Sequence, residues 1–243
     1  MTASAPGFGS AALLTTWEDC HGRTHADVAL RMLQMAEPDV GLAALASLPV
    51  SDRDRRLLAL RSLLFGDAFD MRTECPMCDE QLELAGTGDE FIGTCAGPRD
   101  FDIGEGDDVA TFRVPTSRDV ALAMRAPTSQ ERLAALWERC VRYRHIGTSR
   151  PVDEMPLELA VRVETALLEV DGHAITGLEL TCPGCDYSWI ADFDIVTILW
   201  AELDARLRRE LFDVHRLAAA YGWSEDTVLS LSPRRRQYYL EQV

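Results

Sequence analysis

Apolar residues along the N-terminal quarter recur at three- and four-residue intervals, which is typical of amphipathic helices with one face on a core. This period predicts helices over residues 24–36 and 39–47, separated at Pro38. A capping-box pattern at Ser51 opens a third helix, and Gly66 ends it. This part of the chain is therefore predicted to be helical.

The middle of the chain mixes helical and strand periods. Residues Val109–Val114 alternate as a strand. Capping boxes at Thr116 and Thr128 predict a helix through Met124 and a longer helix through His145. A further helical stretch covers residues 157–170, so the middle is predicted to be a mixed αβ region.

One long amphipathic helix is predicted near the C-terminus, over residues 194–221, with a length of roughly 40 Å. Gly222 is placed to end it, and Ser224 and Ser232 are placed to cap two short helices. The apolar stripe expected to face the core comprises Val196, Leu199, Leu203, Leu207, Val214, Leu217 and Tyr221.

Two copies of Cys-Pro-x-Cys, at residues 75–78 and 182–185, are the strongest chemical signal. Each turn supplies two sulfurs to a tetrahedral metal, so two turns close a four-cysteine site around Zn²⁺ without an open ligand position. The sequence predicts one structural zinc held by Cys75, Cys78, Cys182 and Cys185. A redox dithiol or a disulfide pair is the alternative, and neither explains why the motif occurs twice.

The surroundings of both turns fit a metal-binding ribbon. An Asp follows each second cysteine, where many such turns have Gly, and Asp tolerates the left-handed backbone conformation. Because 103 residues separate Cys78 from Cys182, the two halves must meet through the fold. Short alternating strands are predicted at residues 81–84, 178–180 and 188–190.

Composition narrows the functional classes. The net charge of −16 argues against a nucleic-acid partner, since a backbone reader needs a positive field. The chain contains no lysine, which excludes a Walker A lysine, a Schiff-base lysine and a Ser-x-x-Lys nucleophile. No apolar run approaches the roughly 18 residues of a membrane span. Free thiolate ligands require a reducing compartment, which indicates the cytoplasm.

Catalytic motifs are not evident: there is no His-Glu-x-x-His, no Gly-x-Ser-x-Gly and no dinucleotide-binding glycine run. We therefore predict a non-enzymatic protein without a small-molecule substrate. Cys20, His21 and His25 could form a second metal cluster, although such short spacings are nonspecific. Cys140 is most simply a small buried apolar residue.

The predicted fold class is α+β and predominantly helical, with a discontinuous zinc ribbon, an αβ insert and a long C-terminal helix. One compact domain is expected at 24–243, after a flexible N-terminal tail at 1–23 with too few basic residues for a signal peptide. Within it we assign N-terminal helices to 24–74, the split ribbon to 75–192 with an insert at 86–173, and a C-terminal helical module to 193–243.

A second face of the long helix is a candidate partner surface. It lies roughly 170° from the core stripe on a 100°-per-residue wheel and includes Ile198, Ala205 and Phe212. The N-terminal helices could instead cover it. Arg234, Arg235 and Arg236 could add an anion site to this surface, or could serve as internal charge partners in an acidic protein.

The C-terminal module resembles a phage-tail protein family, the T4-type baseplate hub assembly chaperones and the zinc-knuckle relatives encoded with contractile injection systems. The resemblance also takes in both Cys-Pro-x-Cys turns and the Arg-Leu-Leu-Ala-Leu-Arg helix before the first. It implies a non-enzymatic assembly chaperone that acts on baseplate, hub or tube subunits. The residues that carry it in the module are 193–203, 215–218, 221–225 and 229–240.

A zinc-ribbon regulatory or nucleic-acid-binding module is the alternative function. It needs a basic surface, which only residues 139–144 and 234–236 could supply locally. A metalloenzyme is a more distant alternative, because four thiolates saturate zinc.

Overall fold

The computed structural model describes residues 8–87, 100–171 and 177–243. These residues form ten α-helices, eight β-strands and a short 3₁₀ helix, which confirms a predominantly helical α+β fold class. The helices are α1 Ser10–Cys20, α2 His25–Ala36, α3 Leu42–Leu45, α4 Val50–Phe65, α5 Ser117–Ala123, α6 Ser129–Cys140, α7 Leu157–Asp171, α8 Ile195–Tyr221, α9 Glu225–Ser230 and α10 Pro233–Leu240. The strands are β1 Ala68–Glu74, β2 Gln81–Thr87, β3 Phe101–Glu105, β4 Asp108–Phe112, β5 Val141–His145, β6 Thr148–Arg150, β7 Gly177–Thr181 and β8 Ser188–Asp192.

The main hydrophobic core lies between α8 and the N-terminal helices. Leu199, Leu203 and Leu207 of α8 are fully buried in it, against residues of α1, α2 and α4. The predicted core stripe of the long helix is therefore confirmed, except that Tyr221 at its end is exposed. Gly222 ends α8 in the left-handed conformation, as its position predicted.

The flexible tail predicted for residues 1–23 is wrong over α1. Leu13, Leu14 and Cys20 of this helix are buried in the main core, because they fall on one helical face. The Trp17 Nε1–H also donates to Asp204 Oδ1 of α8 over 2.8 Å. Residues 1–7 lie outside the described residues.

The insert contains a four-stranded antiparallel sheet in the order β3-β4-β5-β6, with α7 packed against β3 and β4. Phe112, Val141, Tyr143 and Leu159 belong to a hydrophobic cluster separate from the main core. The described part of the insert predicted at 86–173 thus buries apolar residues of its own.

The helix predicted to run to His145 ends at Cys140 instead. Val141 and Tyr143 are buried and alternate with the exposed residues Arg142 and Arg144, which is the period of a strand. Of the three predicted capping boxes, those at the starts of α5 and α6 are present. The one predicted at Ser51 is wrong, because α4 begins at Val50, after Pro49, without a side-chain cap.

The insert joins the N-terminal helices beside α5. The Val50 N–H donates to the Pro115 carbonyl over 2.9 Å, and the Arg118 N–H donates to the Ala46 carbonyl over 3.1 Å. At this junction Asp119, with a side chain only 2% exposed, accepts hydrogen bonds from Arg113. A buried carboxylate therefore lies where the two parts of the fold meet.

Two further antiparallel hairpins, β1–β2 and β7–β8, place the Cys-Pro-x-Cys turns at their tips. The strands predicted at 81–84, 178–180 and 188–190 are confirmed within β2, β7 and β8, whereas β1 was not predicted. Among the described residues, no helix is long and apolar enough to cross a membrane.

Candidate metal centre

Each cysteine turn is built by the same two backbone hydrogen bonds. In the first turn the Cys75 N–H donates to the Glu80 carbonyl and the Asp79 N–H donates to the Cys75 carbonyl, both over 2.9 Å. The corresponding bonds of the second turn have the same length. Both turns therefore hold their two sulfurs in equivalent positions.

The residue after each second cysteine adopts a left-handed backbone conformation, with φ of 60° at Asp79 and 57° at Asp186. Asp is among the few non-glycine residues enriched in this region, because its short polar side chain tolerates it. The expectation drawn from the sequence at these two positions is confirmed.

All four sulfurs lie within 4.8 Å of one another, although they come from hairpins more than 100 residues apart. The Sγ–Sγ distances are 3.7 Å for Cys75 and Cys185 and 3.6 Å for Cys78 and Cys182. A tetrahedron with metal–sulfur bonds of about 2.3 Å has sulfur–sulfur edges of about 3.8 Å, whereas a disulfide is about 2.05 Å long. The four cysteines lie close enough to bind one metal ion.

The thiols do not ionise alike. Burial opposes ionisation of Cys75, yet the backbone N–H groups of Met77 and Cys78 outweigh it and lower its pKa to about 7. The N–H of Glu80 lowers the pKa of Cys78, but the Cys185 thiol and burial outweigh it and raise that pKa to about 12. The cluster holds one thiolate readily, and four thiolates together need a cation to offset their repulsion.

Cys20, His21 and His25 do not assemble a second metal cluster among the described residues. Nδ1 of His21 lies 2.8 Å from the Trp17 carbonyl oxygen, and Nε2 of His25 lies 2.7 Å from Asp194 Oδ2. Burial raises the pKa of the Cys20 thiol to about 11, which disfavours the thiolate that a metal requires.

The predicted partner face of α8 is only partly exposed. Ile198 packs against the main core, while Ala205 is exposed and Phe212 is 60% exposed. The proposed cover by N-terminal helices thus applies to Ile198 and does not extend to Phe212.

The arginine triplet divides in the same way. Arg234 and Arg235 are exposed, whereas Arg236 is buried with its Nη1 3.7 Å from Glu210 Oε2. Arg236 therefore serves as an internal charge partner and not as part of an open partner surface.

Sequence reasoning missed that five apolar side chains of the two cysteine hairpins stay outside the hydrophobic cores. They are Leu82, Leu84, Leu180, Tyr187 and Trp189, which we call the ribbon face. Four of these side chains are half-buried and Tyr187 is exposed, and among the described residues none joins the three hydrophobic clusters. The alternation in the strands was visible, but alternation does not tell which face stays uncovered.

No family model matches this chain, and no curated protein or solved structure matches it significantly.

Proposed function

We propose that the protein binds one structural Zn²⁺ through Cys75, Cys78, Cys182 and Cys185, and that it acts as a non-enzymatic assembly factor of a phage-tail-like contractile particle. The closeness of the four sulfurs, all within 4.8 Å of one another, is the observation that carries the zinc. The resemblance of the C-terminal module carries the assembly role.

A zinc ion with four thiolate ligands has no position left for water or substrate, so it joins elements rather than acting as a Lewis acid. Here it would join the β1–β2 hairpin to the β7–β8 hairpin, and through β1 to the main core, where Phe69 is buried. The thiolates require a reducing compartment, which for this role is the cytoplasm.

Metal analysis tests the zinc. Protein purified without added zinc is expected to contain about one equivalent, because a four-thiolate site binds Zn²⁺ tightly. The four ligand thiols should react with a thiol reagent only after a chelator removes the metal. Cys20 and Cys140 are buried outside the site and serve as the internal control, since they should stay unreactive in the metal-loaded native protein. Less than half an equivalent, with all four ligand thiols reactive, would contradict the proposal.

Phe212 is the residue through which we propose that the protein contacts a baseplate, hub or tube subunit. Its ring is 60% exposed on α8, so a partner could contact it without any change in the fold. The neighbouring Ala205 is small and exposed, so a partner can approach the helix closely there.

The substitution Phe212→Glu should leave folding and zinc content unchanged, because the side chain is not part of a core. Co-purification with the tail or baseplate subunit should be lost. Leu157→Glu on α7 is the matched control, since Leu157 is even more exposed and should not affect this interaction. A Phe212→Glu variant that is stable and still captures the subunit would remove this face from the proposal.

The alternative of a nucleic-acid-binding module loses part of the basic surface it needs, because two arginines of residues 139–144 are paired with carboxylates. Arg139 bonds to Asp119 over 3.0 Å, and Arg142 to Asp100 over 2.6 Å. These carboxylates neutralise arginines that a phosphate backbone would need, and the net charge of −16 opposes the approach of nucleic acid.

A further inference from the structure

A cavity of about 320 Å³ lies where the middle of α8 meets α10 and the end of α4. Leu64, Phe65 and Leu240 form an apolar wall of this cavity. Charged side chains form another part of its lining, and those of α8 recur at three- and four-residue intervals, which places them on one helical face. They are Arg206, Arg209, Glu210 and Asp213 of α8 and Arg236 of α10. The cavity is therefore bounded by groups of both charges.

Two buried atoms of this lining have no hydrogen-bond partner among the described residues, namely Arg236 Nε and Glu210 Oε2. The Arg236 side chain is only 9% exposed, and its Nη1 lies 3.7 Å from Glu210 Oε2, which is too far for a hydrogen bond. Buried polar atoms of folded proteins nearly always have a partner. The cavity thus has one donor and one acceptor that the surrounding protein groups leave unsatisfied.

Both side chains are fixed at their other polar atoms. Glu210 Oε1 accepts from Arg206 Nε over 3.1 Å, and Arg236 Nη2 donates to the Leu229 carbonyl over 3.4 Å. Neither side chain can turn its unsatisfied atom toward solvent without breaking that bond. A ligand would therefore meet groups that are already in place, which reduces the entropy cost of binding.

A second donor and a second acceptor line the same cavity. Arg209 uses its Nε on the Ala205 carbonyl of its own helix, over 3.0 Å, and its two Nη groups bond to no described residue. Asp213 makes no hydrogen bond or ion pair within the described part of the chain. Burial raises the pKa of the Asp213 carboxyl, although Arg236 and Arg216 oppose the shift. The neighbouring arginines therefore do not fully offset the burial of this carboxylate.

We propose that this cavity binds a small zwitterion of the class of α-amino acids with an apolar side chain. The carboxylate of the ligand would accept from the guanidinium groups of Arg209 and Arg236. Its ammonium group would donate to the carboxylates of Glu210 and Asp213. Its side chain would pack on the apolar wall, and the volume is at the small end of the range for ligand sites. The proposal depends neither on the metal nor on the assembly role.

Other occupants fit this lining less well. An anion without a positive group would be repelled by the two carboxylates and would leave them unpaired, and a cation without a negative group would meet the same objection at the arginines. An apolar molecule would leave all of these charged groups unsatisfied. Water could bridge Arg236 Nε and Glu210 Oε2, but it gains nothing from the apolar wall. A zwitterion is the ligand that complements every part of the lining.

Calorimetric titration of the full chain with L-leucine tests the proposal. We expect a Kd of about 0.1 mM or tighter. Two analogues each lack one charge of leucine: 4-methylpentanoate has no ammonium group, and 3-methylbutylamine has no carboxylate. Both should bind at least about tenfold more weakly, because each leaves charged groups of the cavity unpaired. Absence of leucine binding at about 10 mM would mean that the cavity holds water only. That result, or equal binding of either analogue, would overturn the proposal.

The substitutions Arg209→Gln and Arg235→Gln locate the binding. Both arginines are exposed and both substitutions remove one positive charge, but of the two only Arg209 lines the cavity. Arg209→Gln should weaken leucine binding about tenfold, since it removes a charged donor to the carboxylate. Arg235→Gln should stay within about twofold, because solvent screens charges outside the site. Equal losses in the two variants would show that leucine responds to the overall charge, which contradicts binding in this cavity.

Discussion

The variant Cys185→Ser is expected to lose the metal and to lower the melting temperature by more than about 10 °C. Cys185 is exposed, so the substitution removes little packing, and any large loss belongs to the metal. A structural zinc contributes about 10 kcal/mol or more in small model sites, which is comparable with the whole free energy of unfolding of a domain. Metal analysis and thermal unfolding of the same preparation measure both effects.

The control is Cys20→Ser in α1. Cys20 is buried and lies outside the metal centre, so this variant should keep one equivalent of metal and lose only the modest stability that a buried hydroxyl costs. Comparison of the two variants should therefore separate the stability lost with the metal from the stability lost through altered packing. Retention of the metal and of the melting temperature by Cys185→Ser would disprove a structural role for the four-cysteine site.

The variant Asp119→Ala is expected to lower the free energy of unfolding by about 2–4 kcal/mol, because a buried carboxylate with several charged donors is removed. Oδ2 of Asp119 accepts from Arg113 Nη1 over 2.7 Å and from Thr116 Oγ1 over 2.7 Å, and its Oδ1 accepts from Arg139 over 3.0 Å. The arginines are about a third exposed and can regain water, which keeps the loss below that of a fully buried pair. Urea denaturation measures the change.

The capping box of α6 supplies the matched control. Glu131 makes the same contacts with Thr128 as Asp119 makes with Thr116, but in an exposed position. Glu131→Ala should thus cost no more than about 1 kcal/mol. Similar losses in the two variants would mean that capping alone, and not the buried ion pairs, accounts for the effect at Asp119.

The Asp119 carboxylate also makes the stability of the folded protein depend on pH. Burial opposes its ionisation, but Arg113 and Thr116 outweigh burial and hold the pKa of Asp119 well below its ordinary value. A lowered pKa in the folded state means that the stabilisation is fully present above about pH 4 and is lost as the pH falls toward the folded value. The difference in stability between the native protein and Asp119→Asn should therefore be constant from pH 5 to 7 and shrink below pH 4.

Local chemistry explains which elements the sequence could predict. The helix starts at Thr116 and Thr128 were predictable, because a capping box depends on residues three positions apart. The end of α6 was missed, since Val141 and Tyr143 also continue the four- and three-residue spacing from Trp137 and Cys140, and the pairing of β5 with β4 decides between helix and strand. Contacts between distant residues, such as Trp17 with Asp204, leave no local trace, so α1 was mistaken for a tail.

The candidate site also contains residues that the sequence could predict and residues that it could not. The four cysteines were predictable because each turn is a local motif, and the repetition of the motif identified them as one set. That Ile198 is covered while Phe212 is exposed follows only from where the N-terminal helices pack. The ribbon face depends equally on tertiary packing, because Leu82 and Trp189 alternate like core residues but join no core among the described residues.

The distance along the chain between the two cysteine turns also sets an order of events during synthesis. At about 5–20 residues per second, the ribosome needs on the order of 5–20 s to add the 103 residues after Cys78 and reach Cys182. During that interval Cys75 and Cys78 lack the other two ligands of the site. The insert, which has its own core, can already fold. The main core waits longer still, because Leu199, Leu203 and Leu207 emerge last. The nascent chain thus passes through a stage in which the thiols of the first turn and the apolar faces of the N-terminal helices lack their partners in the C-terminal third.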